Sequence, residues 1–124
     1  MEKVTTPNAP AAIGPYSQAV KVNGMLFASG QIPLDPATGN IVSGGIEAQA
    51  HQAFANVKNI VEAAGTTMSS VLKVTVFMAD MADFVKVNAI YAQYFTEPYP
   101  ARSAVAVRAL PKGALLEVEV IAQL

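Results

Sequence analysis

Two arginines and two glutamates near the C-terminal end of the chain are the residues best suited to chemistry. Arg102 and Arg108 are the only arginines, and Glu117 and Glu119 follow them in a second apolar run. Arginine presents a rigid fork that matches a carboxylate in two parallel hydrogen bonds and keeps its charge when water is removed. A glutamate beside it could hold and polarise a water molecule. The set favours a small substrate that bears a carboxylate next to a hydrolysable centre.

The elements that must position these residues are two strand-like runs, 100–108 and 115–122, separated by a segment that contains Pro and Gly. Such a pattern predicts an antiparallel hairpin. Because successive strand side chains point to opposite faces, both arginines fall on one face of the first strand, with the small Ala104 between them. We expect this face to meet the two glutamates and to leave room for a ligand.

The same residues also fit a plainer interpretation. Strand Arg and Glu side chains most often form solvated cross-strand pairs, worth about 0–1 kcal/mol each. Spacing alone favours this interpretation, and Tyr16 and Ser29 taken alone would be ordinary strand residues.

The rest of the chain predicts an α+β domain. The predicted elements, in order, are strands 16–22 and 25–29 around the turn Asn23-Gly24, a short edge strand 41–42, a helix 46–64, a central strand 71–79, a helix that begins after the N-cap Asp80, and the two C-terminal strands. Two helices can cover only one face of a mixed sheet. We therefore expect a single domain, residues 1–124, whose other sheet face packs against other subunits.

Composition supports association and disfavours several classes of function. Hydrophobic residues make up 52% of the sequence and charged residues 14%, so some apolar surface is expected to meet another chain. The net charge of -1 and the pI near 5.7 offer no positive field for nucleic acid. The opening residues lack the apolar core of a signal peptide, and a cytoplasmic location is expected.

Metal and cofactor chemistry also lack support. The chain has no cysteine, and its one histidine, His51, has no ligand-type neighbours on its predicted helix. No GxGxxG or Walker pattern follows a strand. We therefore predict neither a metal site nor a cofactor, and expect His51 to be a solvated or capping residue.

Several motifs in order resemble those of the reactive intermediate deaminase (Rid, YjgF-type) family. They are Asn8-Ala-Pro-Ala-Ala-Ile-Gly-Pro-Tyr-Ser-Gln-Ala19, Ala28-Ser-Gly-Gln-Ile-Pro33, Pro100-Ala-Arg-Ser103, Leu116-Glu-Val-Glu119 and the helical segment 56–65. The resemblance covers essentially the whole chain. It implies a chorismate-mutase-like fold, a homotrimer, and active sites in the clefts between subunits.

The reaction that the resemblance implies is hydrolysis of 2-iminopropanoate and 2-iminobutanoate, with their enamine tautomers, to 2-keto acids and ammonia. The implied roles are carboxylate binding for Arg102, water positioning for Glu117, closure of the cleft from the neighbouring chain for Tyr16, lining of the pocket for Ser29 and Gly30, and backbone contacts near Ala104. Many relatives carry cysteine at the position of Ala104, so its absence argues against a need for thiol chemistry. Arg108 and Glu119 lie outside the implied site.

Two other functions stay open at the level of sequence. A non-catalytic module that binds 2-keto acids would use the same Arg102 without needing Glu117 to activate water. Some family members are described as endoribonucleases or translation inhibitors, but the pI and the absence of a basic patch with interleaved aromatic residues argue against RNA.

Overall fold

The apolar run that follows the first helix forms the central strand of the molecule. The computed structural model describes residues 1–124. Its elements are strands β1 Glu2–Val4, β2 Ala19–Val22, β3 Met25–Ala28, β4 Val71–Met78, β5 Ala101–Ala106 and β6 Leu116–Gln123, and helices α1 Gly45–Ala63 and α2 Phe84–Tyr94. The six strands form one sheet in the order β1-β2-β3-β6-β4-β5. Only β4 and β5 are parallel, so the sheet is mixed and mainly antiparallel.

Both helices cover the same face of this sheet, as the sequence predicted. The core joins the inner side chains of α1 and α2 to alternate residues of β4 and β6, namely Phe54, Val57, Ile60, Val61, Val87, Ile90, Tyr91, Val74, Val76, Met78, Leu116, Val118 and Val120. The other face of the sheet carries no helix. Neither helix combines the length and apolarity that crossing a membrane requires.

The predicted hairpin between 100–108 and 115–122 is wrong. Strand β5 pairs in parallel with β4, and β6 pairs antiparallel with the other edge of β4. Helix α2 makes the crossover that a parallel pair requires, and the apolar β4 takes a partner on both edges. The segment between β5 and β6 therefore spans the end of β4 instead of forming a tight turn.

Other boundaries were predicted more accurately. Asn23 and Gly24 form the two-residue turn between β2 and β3, and both have the positive φ (51° and 75°) that such a turn needs. Asp80, the predicted N-cap of the second helix, instead caps the 3₁₀ turn 81–83 by accepting from the Ala82 N–H at 2.9 Å, and α2 follows directly after Asp83. Strand β1 was missed, and Ile41 makes only an isolated bridge with Leu34 where an edge strand was expected.

Candidate functional site

Glu117 lies on the helix-free face of the sheet, near the start of β6. Its partner across the sheet is Phe77 of β4, while the neighbouring Leu116 and Val118 point into the core. The Glu117 side chain is half-buried and packs directly against Gly30. A Cβ atom at Gly30 would lie 2.9 Å from the Glu117 carboxyl carbon, so only glycine leaves the carboxylate in this position.

The environment of Glu117 changes its acidity. Burial raises the pKa of the Glu117 carboxyl above its usual range, and the charge of Glu119 on the same face raises it further. A carboxylate with a raised pKa is a stronger base. The geometry thus presents a half-buried carboxylate that is suited to accept a proton.

Four of the six sequence-predicted site residues line one cavity of about 550 Å³. They are Tyr16, Ser29, Gly30 and Glu117. Much of the remaining wall is apolar and includes Ile13, Ile32, Leu34, Pro36 and Pro111. The structure therefore places a single carboxylate in a largely apolar cavity, a usual setting for a small organic ligand.

Local hydrogen bonds fix the segments that carry Tyr16 and Ser29. The Ser29 hydroxyl donates to the Ser17 carbonyl at 2.6 Å, and its N–H donates to the Gln18 carbonyl at 2.9 Å. The buried Gln18 side chain bonds the backbone of Thr6, Ala9 and Pro10 in turn. Tyr16 itself is 53% exposed, so its ring stands at the open side of the cavity.

Arg102 lies on the opposite face of the sheet. It pairs with Val74, whose side chain is buried under the helices. The guanidinium Nη1 donates to Asn88 Oδ1 at 2.6 Å. The guanidinium carbon of Arg102 lies 4.7 Å from the Tyr91 ring centroid and 5.2 Å from the Phe84 ring centroid. These contacts with α2 hold the guanidinium at a second cavity of about 470 Å³.

The predicted shared face of arginines and glutamates is therefore wrong. Arg102 lies on the helix side and Glu117 on the helix-free side, because both β5 and β6 take their register from β4 instead of from each other. Arg108 follows the end of β5 and is exposed. Ala104 has the same parity as Arg102 and packs partly against the core. One chain thus brings Tyr16, Ser29, Gly30 and Glu117 together but not Arg102 and Ala104.

Asn88 and the ring of Tyr91 were missed as partners of Arg102. The signal was present, because Phe84, Asn88 and Tyr91 are spaced i, i+4, i+7 and share one side of α2. Burial raises the pKa of the Tyr91 hydroxyl, and the nearby Arg102 partly offsets this.

His51 takes no part in either cavity. Its Nδ1 lies 3.4 Å from the Tyr94 hydroxyl, which donates to the His51 carbonyl at 3.2 Å. Nowhere in residues 1–124 do three or more His, Cys, Asp or Glu side chains cluster in a way that could hold a metal ion.

Known proteins match this chain over nearly its whole length. A family model described as Endoribonuclease L-PSP matches residues 6–124. A RutC family protein of Pyrococcus horikoshii is 54% identical over 121 residues, which cover 98% of this chain and 96% of that protein. The 2-iminobutanoate/2-iminopropanoate deaminase of Homo sapiens is 50% identical over 119 residues, covering 96% and 87%. The crystal structure of RidA from an Antarctic Psychrobacter has a TM-score of 0.96 at 45% identity and covers 100% of both chains.

Proposed function

The chain belongs to the reactive intermediate deaminase family, whose model is described as Endoribonuclease L-PSP, and from this premise we propose that it hydrolyses small 2-imino acids to 2-keto acids and ammonia. The preferred substrates would be 2-iminobutanoate and 2-iminopropanoate, the compounds named in relatives that are 50% identical. The observation that carries the proposal is the half-buried Glu117 carboxylate, seated against Gly30 in a largely apolar cavity.

Arg102 is the proposed anchor for the substrate carboxylate. A guanidinium has five N–H donors, and the one bond to Asn88 leaves the others available for an anion. The one ion pair of the structure, Lys58–Glu62, does not involve Arg102. Contact with two aromatic rings holds the guanidinium in place, so little side-chain entropy is lost when a carboxylate binds.

Glu117 is the proposed water-positioning residue. The carbon of a protonated imine is already electrophilic, so the reaction needs little beyond orientation and proton transfer. The water oxygen bonds to the imine carbon while Glu117 accepts one water proton. Glu117 then returns the proton to the nitrogen of the tetrahedral intermediate. The C–N bond breaks, a carbonyl forms, and the hydroxyl proton leaves with ammonia as ammonium.

Two copies of the chain are required for this reaction. Within one chain Arg102 and Glu117 point to opposite faces of the sheet. We infer that Arg102, with the backbone near Ala104, faces Glu117, Tyr16, Ser29 and Gly30 of a neighbouring copy. A homotrimer would repeat this cleft three times by a single rotation.

A comparison of catalysis with binding tests the role of Glu117. Glu117→Gln keeps the shape and one acceptor oxygen but loses the proton-accepting carboxylate. We expect turnover of freshly generated imine to fall about a hundredfold, while affinity for a 2-keto acid, measured by calorimetry on the same preparation, changes much less. Glu119→Gln is the matched control: Glu119 is exposed on the same strand, and because burial is the larger cause of the raised Glu117 pKa, this variant is expected to keep most of its activity.

A keto-acid-binding module is the second candidate, and the pre-organised Arg102 favours it. The contacts that hold Arg102 do not involve Glu117, so they would serve a binding protein equally well. Equal losses of turnover and affinity in Glu117→Gln would mean that Glu117 shapes the pocket. Slow imine turnover by the wild-type chain together with tight keto-acid binding would favour the module.

A further inference from the structure

Four amide side chains form a line along helix α1. Gln49, Gln52, Asn56 and Asn59 are spaced i, i+3, i+7, i+10, which places them on one side of the helix. We name these four residues the amide stripe. Gln49 and Asn56 are buried among apolar side chains, where an unpaired amide would be costly. Each amide of the stripe forms at least one hydrogen bond.

Asn56 is the most enclosed member and has the most partners. It is 0% exposed, and its Nδ2 donates to the Leu34 carbonyl at 2.9 Å and to the Ile32 carbonyl at 3.3 Å. Its Oδ1 accepts from Gln52 Nε2 at 2.9 Å, which fixes the orientation of the amide. Both protons of the Asn56 amide thus point to one short stretch of backbone.

Apart from its bonds to Asn56, that stretch is hydrogen-bonded only within the loop 32–42, which includes the bridge between Leu34 and Ile41. Gln31 is the last residue bonded to the sheet, through two backbone hydrogen bonds to Val118. Beyond it, the Leu34 N–H bonds the Ile32 carbonyl at 2.8 Å, and the Val42 N–H bonds the Pro33 carbonyl at 3.1 Å. The side chains of Ile32 and Leu34 both line the Glu117 cavity. Asn56 is thus the hydrogen-bonded link between this apolar wall and helix α1.

The outer members of the stripe, Gln49 and Asn59, are hydrogen-bonded to two further loop segments that line the Glu117 cavity. Gln49 Oε1 accepts from the Leu115 N–H at 2.9 Å, at the end of the segment whose Pro111 and Lys112 line the cavity. Asn59 Nδ2 donates to the Asn8 carbonyl at 2.7 Å, at the start of the segment that leads to Tyr16. All three loop segments around Glu117 are thus tied to one rigid helix.

We propose that the amide stripe of α1 sets the shape of the Glu117 cavity, and that Asn56 is a positioning residue whose hold on Ile32 and Leu34 limits the length of the substrate side chain. The part that concerns substrate length rests on the proposed deaminase function. The part that concerns the wall is a property of the free protein and can be tested without any substrate.

The first test compares two substrates in Asn56→Ala. Imines are generated from alanine and from leucine, and kcat/KM is measured for each. A loosened wall would discriminate less between short and long substrate side chains, so the ratio of the two kcat/KM values should move towards one by about threefold or more. This change is smaller than the discrimination between substrates that a single methylene group can provide. A variant that merely folded less well would lose kcat equally for both substrates. Gln52→Ala, which frees only the Asn56 amide, should shift the ratio in the same direction by less.

The second test measures amide hydrogen exchange in the ligand-free protein. Asn56→Ala should speed exchange at the Leu34 and Val42 amides while leaving the β4–β6 ladder protected. The control Lys58→Ala, on the opposite side of α1, should leave both amides as in wild type.

Unchanged exchange at Leu34 and Val42, or equally fast exchange along the whole chain, would overturn the positioning role. Faster local exchange with an unchanged substrate ratio would overturn the limit on substrate length. If the wild-type chain turned over no imine, the proposed deaminase function would be wrong, but the exchange result would still decide whether Asn56 positions the wall.

Discussion

At the scale of single residues, the structure separates the proposed anion anchor, Arg102, from the proposed base, Glu117. The Arg102 guanidinium is held between Asn88 and two aromatic rings of α2, whereas the Glu117 carboxylate sits against Gly30 in an apolar cavity. Each group is pre-organised by its own surroundings before any ligand arrives. Substitutions at the two positions should therefore have different effects.

Arg102→Ala should lower activity about tenfold or more, because a charge-assisted hydrogen bond contributes roughly 1.5–3 kcal/mol. Arg102→Lys should recover little, since a point charge does not replace the planar fork or its contact with the rings. Steady-state kinetics on 2-iminobutanoate measures both effects. Arg108→Ala is the control, because Arg108 is exposed outside β5 and should remain dispensable. Near-normal turnover by Arg102→Ala would mean that another group anchors the carboxylate.

The raised pKa of Glu117 predicts a pH-dependent effect on stability. The folded state binds the Glu117 proton more readily than the unfolded state does, so this group adds stability as pH falls through its raised pKa and removes it as pH rises. Glu117→Gln should therefore be more stable than wild type at neutral pH, and the difference should shrink on acidification. Urea unfolding at fixed protein concentration measures it, with Glu119→Gln as the comparison. A Glu117→Gln variant less stable than wild type at neutral pH would contradict the cause given for the shift.

At the scale of elements, Gly30 lies just after β3 and packs against Glu117, the proposed base on β6. Gly30→Ala would push its Cβ against the Glu117 carboxylate, which is the movable end of a flexible side chain. We therefore expect the fold to survive with little change in melting temperature, while imine turnover falls because Glu117 is displaced. The matched control is Gly14→Ala, whose Cβ would make only an ordinary contact of 3.5 Å with Tyr16. Full activity of Gly30→Ala would show that the position of this carboxylate is unimportant.

Local patterns predicted the elements better than their arrangement. The helical spacing up to Gly65, the apolar run of β4 and the turn Asn23-Gly24 are each decided within a few neighbouring residues, and they were found correctly. The pairing of β5 and β6 was not, because both strands take their register from the distant β4. The same error put Arg102 and Glu117 on one face. Sequence motifs were enough to propose roles for both residues. Their opposite orientations follow only from the strand pairing of the whole sheet.

At the scale of the whole molecule, both the helix-free sheet face and the separation of Arg102 from Glu117 favour association of two or more copies of the chain. Phe27 and Val105 lie on that face and are 41% and 46% exposed, an apolar surface that a second copy of the chain could cover. A lone chain leaves Arg102 and Glu117 on opposite sides of the sheet. Association would thus bury apolar surface and complete the site in one step.

The central claim is that each active site takes Arg102 from one copy of the chain and Glu117 from another. Its most direct test is to mix the impaired variants Arg102→Ala and Glu117→Gln in equal amounts, unfold and refold them together, and compare imine hydrolysis with that of each variant refolded alone. In a random cyclic trimer about a quarter of the clefts would unite an intact Arg102 with an intact Glu117. The account predicts recovery of about that fraction of wild-type activity, with light scattering showing trimers. No recovery from a correctly assembled mixture, or an active monomer, would contradict it.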